Sequence, residues 1–315
     1  MWKVLMDRCL ITLQEIPEGH LYSRHGLARL SPRLKNLRLF PYSAERQQQE
    51  ALARTTKMSI QGIQPKLSAR LDISRETFEI VEQRGTYILK PSHLFYPELP
   101  ANEALTMTLA SQVGLEIPLH GLIKCSDGSL TYFIKRYDRK GHDARISVED
   151  FAQLTEETRE TKYNSSMEKV AKVIDRFCSY PQVEKKKLFD RILFSYLIGN
   201  EDMHLKNFSL IVRKGKVELS PADDLLNTSI ALPSSHEEMA LPMGGKKNKL
   251  DLQDFRNYGH LTLMLPDKIV DGCLLKLKEN LPILLNTIQI SFLSENMKKK
   301  YLILLNRCAE KLQIS

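Results

Sequence analysis

The sequence of 315 residues has few cysteines and no long hydrophobic run. Its five cysteines are scattered and contain no Cys-x-x-Cys pair, which argues against a zinc site or a disulfide framework and favours a reducing compartment. No apolar stretch approaches the roughly 18 residues of a membrane span. Charged residues enter the N-terminal segment at Lys3, Asp7 and Arg8, too early for a secretory signal. We therefore predict a cytoplasmic protein without membrane contact; export into a host cell is left open.

The composition is that of a soluble globular protein, with 42% apolar and 27% charged residues. The length exceeds one typical domain and suits two lobes, which we place at residues 1–140 and 141–315. Lysine plus arginine exceed aspartate plus glutamate by 46 − 38 = 8, which favours polyanionic partners such as ATP, tRNA, DNA or an acidic protein surface. The basic residues are dispersed, so charge alone does not choose among these partners.

The most informative stretch is a polar loop between a helical pattern and a strand-like run. Asp202, His204 and Asn207 fall within six positions of one another, after Gly199 and before the β-type run 208–212. Phosphoryl transfer from ATP requires a carboxylate that orients the acceptor hydroxyl and an amide oxygen that holds Mg²⁺. Asp202 and Asn207 supply these groups at the five-residue separation of a protein-kinase catalytic loop, although the histidine here follows the aspartate. The alternative is a capping or turn role.

A second carboxylate follows this loop. The predicted strand Val217–Leu219 leads into Pro221-Ala222-Asp223-Asp224. A kinase needs another acidic group to chelate the metal that bridges the phosphates, and a hairpin beyond the catalytic loop is where it is found. Two aspartates in a turn could also be Asx-turn formers. Together with Asp202 and Asn207, they favour a metal site.

The first half of the chain is predicted to be rich in strands. A polar loop at residues 55–66, with the single glycine Gly62, precedes strand-like runs at Leu67–Leu71, Phe78–Glu82 and Tyr87–Lys90. This arrangement resembles the N-lobe of a kinase. One glycine is too few to identify a phosphate cradle, so a plain hairpin connection is the alternative.

Lys90 and Glu103 have the relative positions of a kinase lysine and its helix partner. Lys90 ends a predicted strand, where kinases place the ammonium that contacts the ATP phosphates. Glu103 falls in the first turn of a predicted helix at residues 102–114. A solvated lysine and a glutamate favoured by the helix dipole are the ordinary alternatives.

The remaining elements are predicted from periodicity. Strands at 117–124 and 130–134 lead into Lys135-Arg136-Tyr137-Asp138-Arg139, a credible hinge whose backbone could contact adenine. The chain beyond it is mainly helical. The predicted helices are 166–178, 184–198, 267–279, 282–293 and 297–312.

Six stretches keep the order and spacing of a known family from about residue 20 to the C-terminal end. They are Met58–Leu67, Tyr87–Ser92, Asn102–Glu103, Ile134–Arg139, Leu197–Phe208 and Leu241–Met243. In these stretches the chain resembles the HipA family of bacterial toxin serine/threonine kinases. It looks closest to HipT, the short form in which the toxin, a small N-terminal-domain-like protein and a DNA-binding antitoxin are separate chains.

The resemblance implies an α+β, two-lobed, protein-kinase-like fold with a strand-rich N-lobe and a mainly helical C-lobe. It implies ATP and Mg²⁺ as cofactors. Asp202 corresponds to the catalytic aspartate, His204 would order the loop rather than act as a base, and Lys206 completes the catalytic set. Asn207 and Asp224 correspond to the Mg²⁺ ligands.

The resemblance also assigns residues to ATP. Lys90 would contact the phosphates with Glu103 as its partner, and Lys135 and Tyr137 would lie at the adenine. The phosphate-binding loop would contain Ser59, Ile60, Gln61 and Gly62, with Ser59 as a site of autophosphorylation. The phosphoserine adds roughly −1.5 to −2 charge beside the triphosphate site, which explains how modification would inactivate the kinase.

The expected function is that of a toxin that phosphorylates an aminoacyl-tRNA synthetase, inhibits translation and promotes persistence. Expected partners are a HipS-like small protein and a HipB-like antitoxin, through which alone DNA would be reached. Two departures matter: the additional N-terminal domain of HipA is lacking, and Gln61 stands where HipT has a second serine. The alternatives are a catalytically silent component of an antitoxin complex and a small-molecule or lipid kinase.

Overall fold

The computed structural model describes residues 6–54, 65–141, 144–158, 161–231 and 237–315. The chain divides into two compact units. The first comprises Met1–Ala104, Pro118–Ala144 and Ile290–Phe292, and the second comprises Leu105–Ile117, Arg145–Gln289 and Leu293–Ser315.

The first unit is built on strands. Its elements, with a helix α3 that has residues in both units, are β1 (Met6–Arg8), β2 (Glu15–Pro17), α1 (Arg24–Leu30), α2 (Ala44–Ala53), β3 (Leu67–Asp72), β4 (Thr77–Ile80), β5 (Tyr87–Pro91), α3 (Leu99–Gln112), β6 (His120–Lys124), β7 (Leu130–Lys135) and β8 (Arg139–Lys140). The strands predicted over residues 67–90 are confirmed, with ends that move by at most two residues.

An antiparallel sheet of five strands, in the order β4-β3-β5-β7-β6, organises the described part of the first unit. Buried aromatic rings fix its packing: the centroid of Phe78 lies 5.1 Å from that of Tyr87 and 5.2 Å from that of Phe133. Such cross-strand aromatic contacts favour one register. In that register Lys90 of β5 pairs with Tyr132 of β7, so the candidate ATP lysine sits on an interior strand.

The second unit is mainly helical. The elements from residue 144 onward are β9 (Ala144–Arg145), β10 (Val148–Asp150), α4 (Phe151–Leu154), α5 (Met167–Phe177), α6 (Pro181–Leu197), a 3-10 turn (Leu205–Asn207), β11 (Ser209–Arg213), β12 (Lys216–Leu219), α7 (Thr228–Ala231), α8 (Leu252–Asn257), a π-helical turn (Tyr258–Thr262), α9 (Asp267–Gln289) and α10 (Glu295–Lys311). Strands β10, β11 and β12 pair antiparallel in that order.

Helix α6 positions both polar segments that follow it. Pro181 occupies its first turn, where no backbone N–H is needed, and almost all of its later side chains are buried. Glu184 accepts a hydrogen bond from the backbone N–H of Leu219 at 2.9 Å. Arg191 donates to the carbonyl of Ser220 at 2.5 Å. The end of β12 is therefore tied to the helix that leads into the loop of Asp202.

Gly199 ends the helical path after α6, as predicted. Its φ of +67° lies in the left-handed region that glycine adopts without strain. A Cβ added at this position would lie 2.7 Å from Cδ2 of Leu304 and 2.8 Å from Oγ of Ser229. Both the conformation and the space therefore require glycine.

Two predictions of the secondary structure were wrong, and one strand was not predicted. The helices expected at 267–279 and 282–293 form one helix, α9, which runs through Pro282. Its buried residues continue from Leu277 through Leu281 to Leu284, so packing outweighs the backbone hydrogen bond lost at proline. Helix α3 begins at Leu99, which moves Glu103 beyond the first turn. Strand β10 was missed because it is only three residues long and pairs with a distant strand.

No helix in the described ranges is long and apolar enough to cross a membrane.

Replacing Gly199 by alanine is expected to destabilise the second unit. The left-handed conformation and the overlap with Leu304 and Ser229 should together lower the free energy of unfolding by roughly 2–5 kcal/mol. Gly215 is the matched control, since its φ is +75° but a Cβ there meets nothing within 4 Å. Gly215→Ala should cost about 1 kcal/mol. Urea unfolding followed by circular dichroism would measure both, and equal losses would contradict the packing argument.

Candidate active site

The loop from Asp202 to Asn207 closes on itself. Nδ2 of Asn207 donates to the backbone carbonyl of Asp202 at 2.7 Å, and the same carbonyl accepts from the backbone N–H of His204 at 2.9 Å. The 3-10 turn Leu205–Asn207 lies between them. The two candidate residues are thereby held at a fixed separation, with the oxygen of the Asn207 amide left as an acceptor.

The Asp202 carboxylate is half exposed, with 50% of its side-chain surface accessible. Oη of Tyr163 donates to its Oδ1 at 2.6 Å. Its backbone N–H donates to Oδ1 of Asn200 at 3.3 Å. Asp202 is thus accessible to an acceptor hydroxyl, while Tyr163 holds its carboxylate and Asn200 holds its backbone.

His204 is buried and neutral. Nζ of Lys162 contacts its Nε2 at 2.5 Å, and because an ammonium can only donate, Nε2 is the acceptor. Burial lowers the pKa of His204, and Lys162 lowers it further, against the opposing effect of Asp202 and Asp224. Nε2 lies 3.9 Å from Oδ2 of Asp202, too far for a hydrogen bond. The ring is therefore a buried, neutral group that contacts Lys162 at the catalytic loop.

Asp224 lies near the histidine and has an unusual backbone conformation. Its φ of +56° is uncommon for a residue with a side chain, although aspartate tolerates it better than most. Its negative charge acts on the pKa of His204, which places the carboxylate in the electrostatic neighbourhood of the loop. The contacts of α6 with the end of β12 support this position.

The donor chemistry of Asn207 and Asp224 fits Mg²⁺. One amide oxygen and one carboxylate are hard oxygen ligands, and Mg²⁺ typically takes one or two protein oxygens together with phosphate and water oxygens. In the portion of the chain that the structure describes, no cluster of three or more His, Cys, Asp or Glu side chains could hold a metal ion. A site made of protein and ATP oxygens remains the one the sequence predicts.

Lys90 and Glu103 form a buried ion pair in the first unit. Their Nζ–Oε1 distance is 2.5 Å, and their side chains are 4% and 1% exposed. The ammonium also lies 5.7 Å from the centroid of the Tyr132 ring. Two charges removed from water are expensive, and their mutual attraction offsets that cost only in good geometry. The helix partner predicted for Lys90 is therefore in contact with it, although in the second turn of α3 instead of the first.

The other predicted residues are placed as follows. Lys135 is exposed at the end of β7, and Tyr137 is half-buried in the segment after it. Arg136 holds that segment through a bidentate pair with Asp138, at 2.9 and 2.7 Å. Lys206 is exposed within the 3-10 turn. The predicted phosphate-binding residues Ser59, Ile60, Gln61 and Gly62 lie outside the described residues.

The structure thus brings Asp202, His204 and Asn207 together in one loop of the second unit, where the charge of Asp224 acts on His204, and it pairs Lys90 with Glu103 in the first unit. Sequence reasoning missed Lys162 and Tyr163. They lie about forty positions before the loop that they contact, in a polar stretch without periodicity. Their only sequence signal is a lysine next to an aromatic residue, which is too common to be informative.

Comparison with known proteins identifies the family. Residues 58–282 match the HipA-like C-terminal domain. This range covers more than two thirds of the chain and includes every predicted site residue. The chain belongs to the HipA family.

Proteins similar to this chain carry kinase names. A protein of Haemophilus influenzae, named as an unproven kinase, is 30% identical over 255 residues, which are 72% of this chain and 73% of that protein. Y4mE of Sinorhizobium fredii, named in the same way, is 32% identical over 60% of this chain and 46% of its own length. The serine/threonine-protein kinase toxin HipA of Shewanella oneidensis is 24% identical over 55% of this chain and 44% of its own length. The matches thus span less than half of the last two proteins.

Solved structures share the fold. Shewanella oneidensis HipA, in a complex with HipB and operator DNA, superimposes with a TM-score of 0.70 at 20% identity, over 95% of this chain and 75% of that one. The Helicobacter pylori proinflammatory kinase CtkA superimposes with a TM-score of 0.52 at 16% identity, over 72% of this chain and 88% of that one. The predicted α+β, kinase-like HipA fold is therefore confirmed.

Removing one partner of the buried pair should destabilise the protein more than removing both. Glu103→Ala removes the carboxylate that faces the buried Lys90 ammonium and is expected to lower the free energy of unfolding by about 3–5 kcal/mol. The double variant Lys90→Met/Glu103→Leu should recover most of this loss, because no uncompensated charge remains. Urea unfolding would measure each variant.

The exposed pair Arg70–Glu79 on the same sheet, at 2.8 Å with side chains 54% and 38% exposed, is the matched control. Glu79→Ala should cost less than about 1 kcal/mol. If the single Glu103 variant and the double variant lost equal stability, the loss would come from packing and not from the unpaired charge.

Proposed function

We propose that this protein is an ATP- and Mg²⁺-dependent serine/threonine protein kinase that acts as the toxin of a toxin–antitoxin system. The observation that carries the proposal is the closed loop in which Asn207 holds the backbone of Asp202 while the Asp202 carboxylate stays half exposed. A capping or turn role for Asp202 and Asn207 would not account for the neutral histidine between them or for the neighbouring charge of Asp224. Membership of the HipA family gives independent support.

In this proposal the second unit performs the phosphoryl transfer. Asp202 accepts or orients the proton of the acceptor hydroxyl, His204 and Lys206 complete the loop, and Asn207 and Asp224 hold Mg²⁺. The bound metal would neutralise charge on the phosphates. Asp202 then needs only to be correctly oriented, which its contacts with Tyr163 and Asn200 favour.

The first unit supplies residues for ATP. Lys90, oriented by Glu103, contacts the phosphates, and Lys135 and Tyr137 lie at the adenine. Ser59, Ile60, Gln61 and Gly62 form the phosphate-binding loop, and Ser59 is the site of autophosphorylation. The buried pair supports this assignment. Such a pair adds little net stability compared with apolar side chains, so a role in holding the Lys90 ammonium in place for ATP accounts for it better than a role in stability does.

The proposed substrate is an aminoacyl-tRNA synthetase, whose modification would inhibit translation and promote persistence. The proposed partners are a HipB-like antitoxin, which alone contacts DNA, and a HipS-like small protein. The solved Shewanella complex of HipA with HipB and DNA supports the first partner by analogy. We further propose the short HipT form, lobes at residues 1–140 and 141–315, and a cytoplasmic location.

The substitution Asp202→Asn tests catalysis. It removes the proton acceptor and should lower transfer of the γ-phosphate, to Ser59 or to a synthetase, by at least ~10³-fold. Because the side chain is half exposed, the melting temperature should change little. Asp271→Asn is the control, since Asp271 of α9 is a comparably exposed carboxylate that pairs with Arg256 of α8.

Equal transfer of labelled phosphate by wild type and Asp202→Asn would contradict the assignment of Asp202 as the catalytic carboxylate. A wild-type protein that binds no Mg·ATP but shifts operator DNA alone would instead indicate a silent DNA-associated component. Faster labelling of aminoglycosides or phosphoinositides than of a synthetase would indicate a small-molecule or lipid kinase.

A further inference from the structure

The segment before α5 is attached to the catalytic loop. The carbonyl of Lys162 accepts the backbone N–H of Leu205 at 3.4 Å. Asn164 closes a turn onto Thr161 at 2.7 Å, and Ser166 caps α5 through the N–H of Lys169. These bonds hold the side chains of Lys162 and Tyr163 against the loop, although the sequence gives no indication of such contact.

Tyr163 makes two specific contacts with loop side chains. Its phenol donates to Oδ1 of Asp202 at 2.6 Å. Its ring meets the His204 ring edge-on, with centroids 5.1 Å apart and planes at 84°. The ammonium of Lys162 lies 4.8 Å from the Tyr163 centroid and contacts His204 as well. Histidine, lysine and tyrosine therefore fix one another, and the phenol is aimed at the carboxylate.

The two oxygens of Asp202 are in different situations. Oδ1 accepts the phenol, whereas Oδ2 has His204 Nε2 at 3.9 Å, and that nitrogen already accepts from Lys162. Within the described residues Oδ2 receives no hydrogen bond. One oxygen is anchored and the other is left for a further donor, which is the arrangement a carboxylate needs in order to orient an acceptor hydroxyl.

We propose that Tyr163 is a positioning residue of the phosphoryl-transfer reaction: its phenol holds Oδ1 of Asp202 so that Oδ2 receives the proton of the acceptor hydroxyl. Lys162 supports this arrangement by fixing His204 beneath the phenol ring. The proposal rests on the proposed function, because it assigns a role to Tyr163 only if Asp202 is the catalytic carboxylate.

The surroundings of the Tyr163 phenol favour its protonated form, which can donate to Asp202. Burial of part of the ring, followed by the hydrogen bond to Asp202 and then by the charge of that carboxylate, raises the pKa of Tyr163 well above its usual range. The ionisable groups that face it are Asp202, His204 and Lys162. Without the phenol, a half-exposed aspartate would sample other rotamers, and loss of orientation of this kind lowers rates by up to roughly 100-fold.

The first test is Tyr163→Phe, which keeps the ring contacts and removes only the hydroxyl. The turnover number for phosphorylation should fall by roughly 10- to 100-fold, with KM for ATP unchanged within about twofold. Tyr180→Phe is the matched control, because Tyr180 is an exposed tyrosine of the same unit and should give wild-type rates.

Wild type and Asp202→Asn are assayed in parallel, so that the two proposals fail separately. If wild type shows no transfer that depends on Asp202, the proposed function fails. If such transfer occurs and Tyr163→Phe matches wild type, the positioning role is overturned. A faster Tyr163→Phe enzyme would also overturn it, because the phenol would then be blocking the acceptor site.

The second test keeps the shape of the Tyr163 side chain and makes its phenol more acidic. With 3,5-difluorotyrosine at position 163, turnover should be near wild type at low pH and decline as the more acidic phenol ionises, since a phenolate cannot donate to Asp202. Wild type should show no such decline over that range. A purely structural tyrosine would give identical profiles, and that result would overturn the proposal even if Tyr163→Phe failed to fold.

Discussion

The hydrogen bond from the Asn207 amide to the Asp202 carbonyl is the constraint on which the candidate site depends. It fixes two residues of different chemistry, a carboxylate and an amide, within one short loop. The loop itself starts where α6 stops, at a glycine that no other residue can replace without strain and overlap. Two further contacts meet at this loop: Lys162 contacts the buried, neutral His204, and Tyr163 donates to the Asp202 carboxylate from a separate segment.

Two kinds of polar burial support the site. In the second unit, Glu184 and Arg191 of α6 use charged side chains to hold the backbone at the end of β12, which leads to Asp224. In the first unit, Lys90 and Glu103 are almost fully removed from water and contact each other. A buried ion pair seldom makes a protein more stable than well-packed apolar side chains of similar volume would at the same positions. The presence of charged groups at these places is better explained by the need to hold a ligand or a ligand-binding residue in one orientation.

Much of this arrangement could be predicted from the sequence, because local patterns carry it. The Gly199 stop, the hairpin of β11 and β12 and the strand of Lys90 follow from periodicity and turn residues, and the HipA family and its kinase-like fold follow from motif order. The continuation of α9 through Pro282 could not be predicted, because buried packing overrides proline. Tyr163 and Lys162 could not be predicted either, since only tertiary structure brings them to the loop. The roles assigned to Lys135, Tyr137 and Ser59 stay predictions.

The central claim is that Lys90 serves ATP binding and Asp202 serves transfer, as separate functions of one enzyme. Calorimetric titration with Mg·ATP, followed by single-turnover transfer on the same samples, tests it most directly. We expect the double variant Lys90→Met/Glu103→Leu, which removes the ammonium without leaving its buried carboxylate behind, to lose at least about tenfold in ATP affinity. Asp202→Asn should bind ATP like wild type and lose at least ~10³-fold in transfer. Normal ATP binding by the folded double variant Lys90→Met/Glu103→Leu, or loss of ATP binding by folded Asp202→Asn, would contradict it.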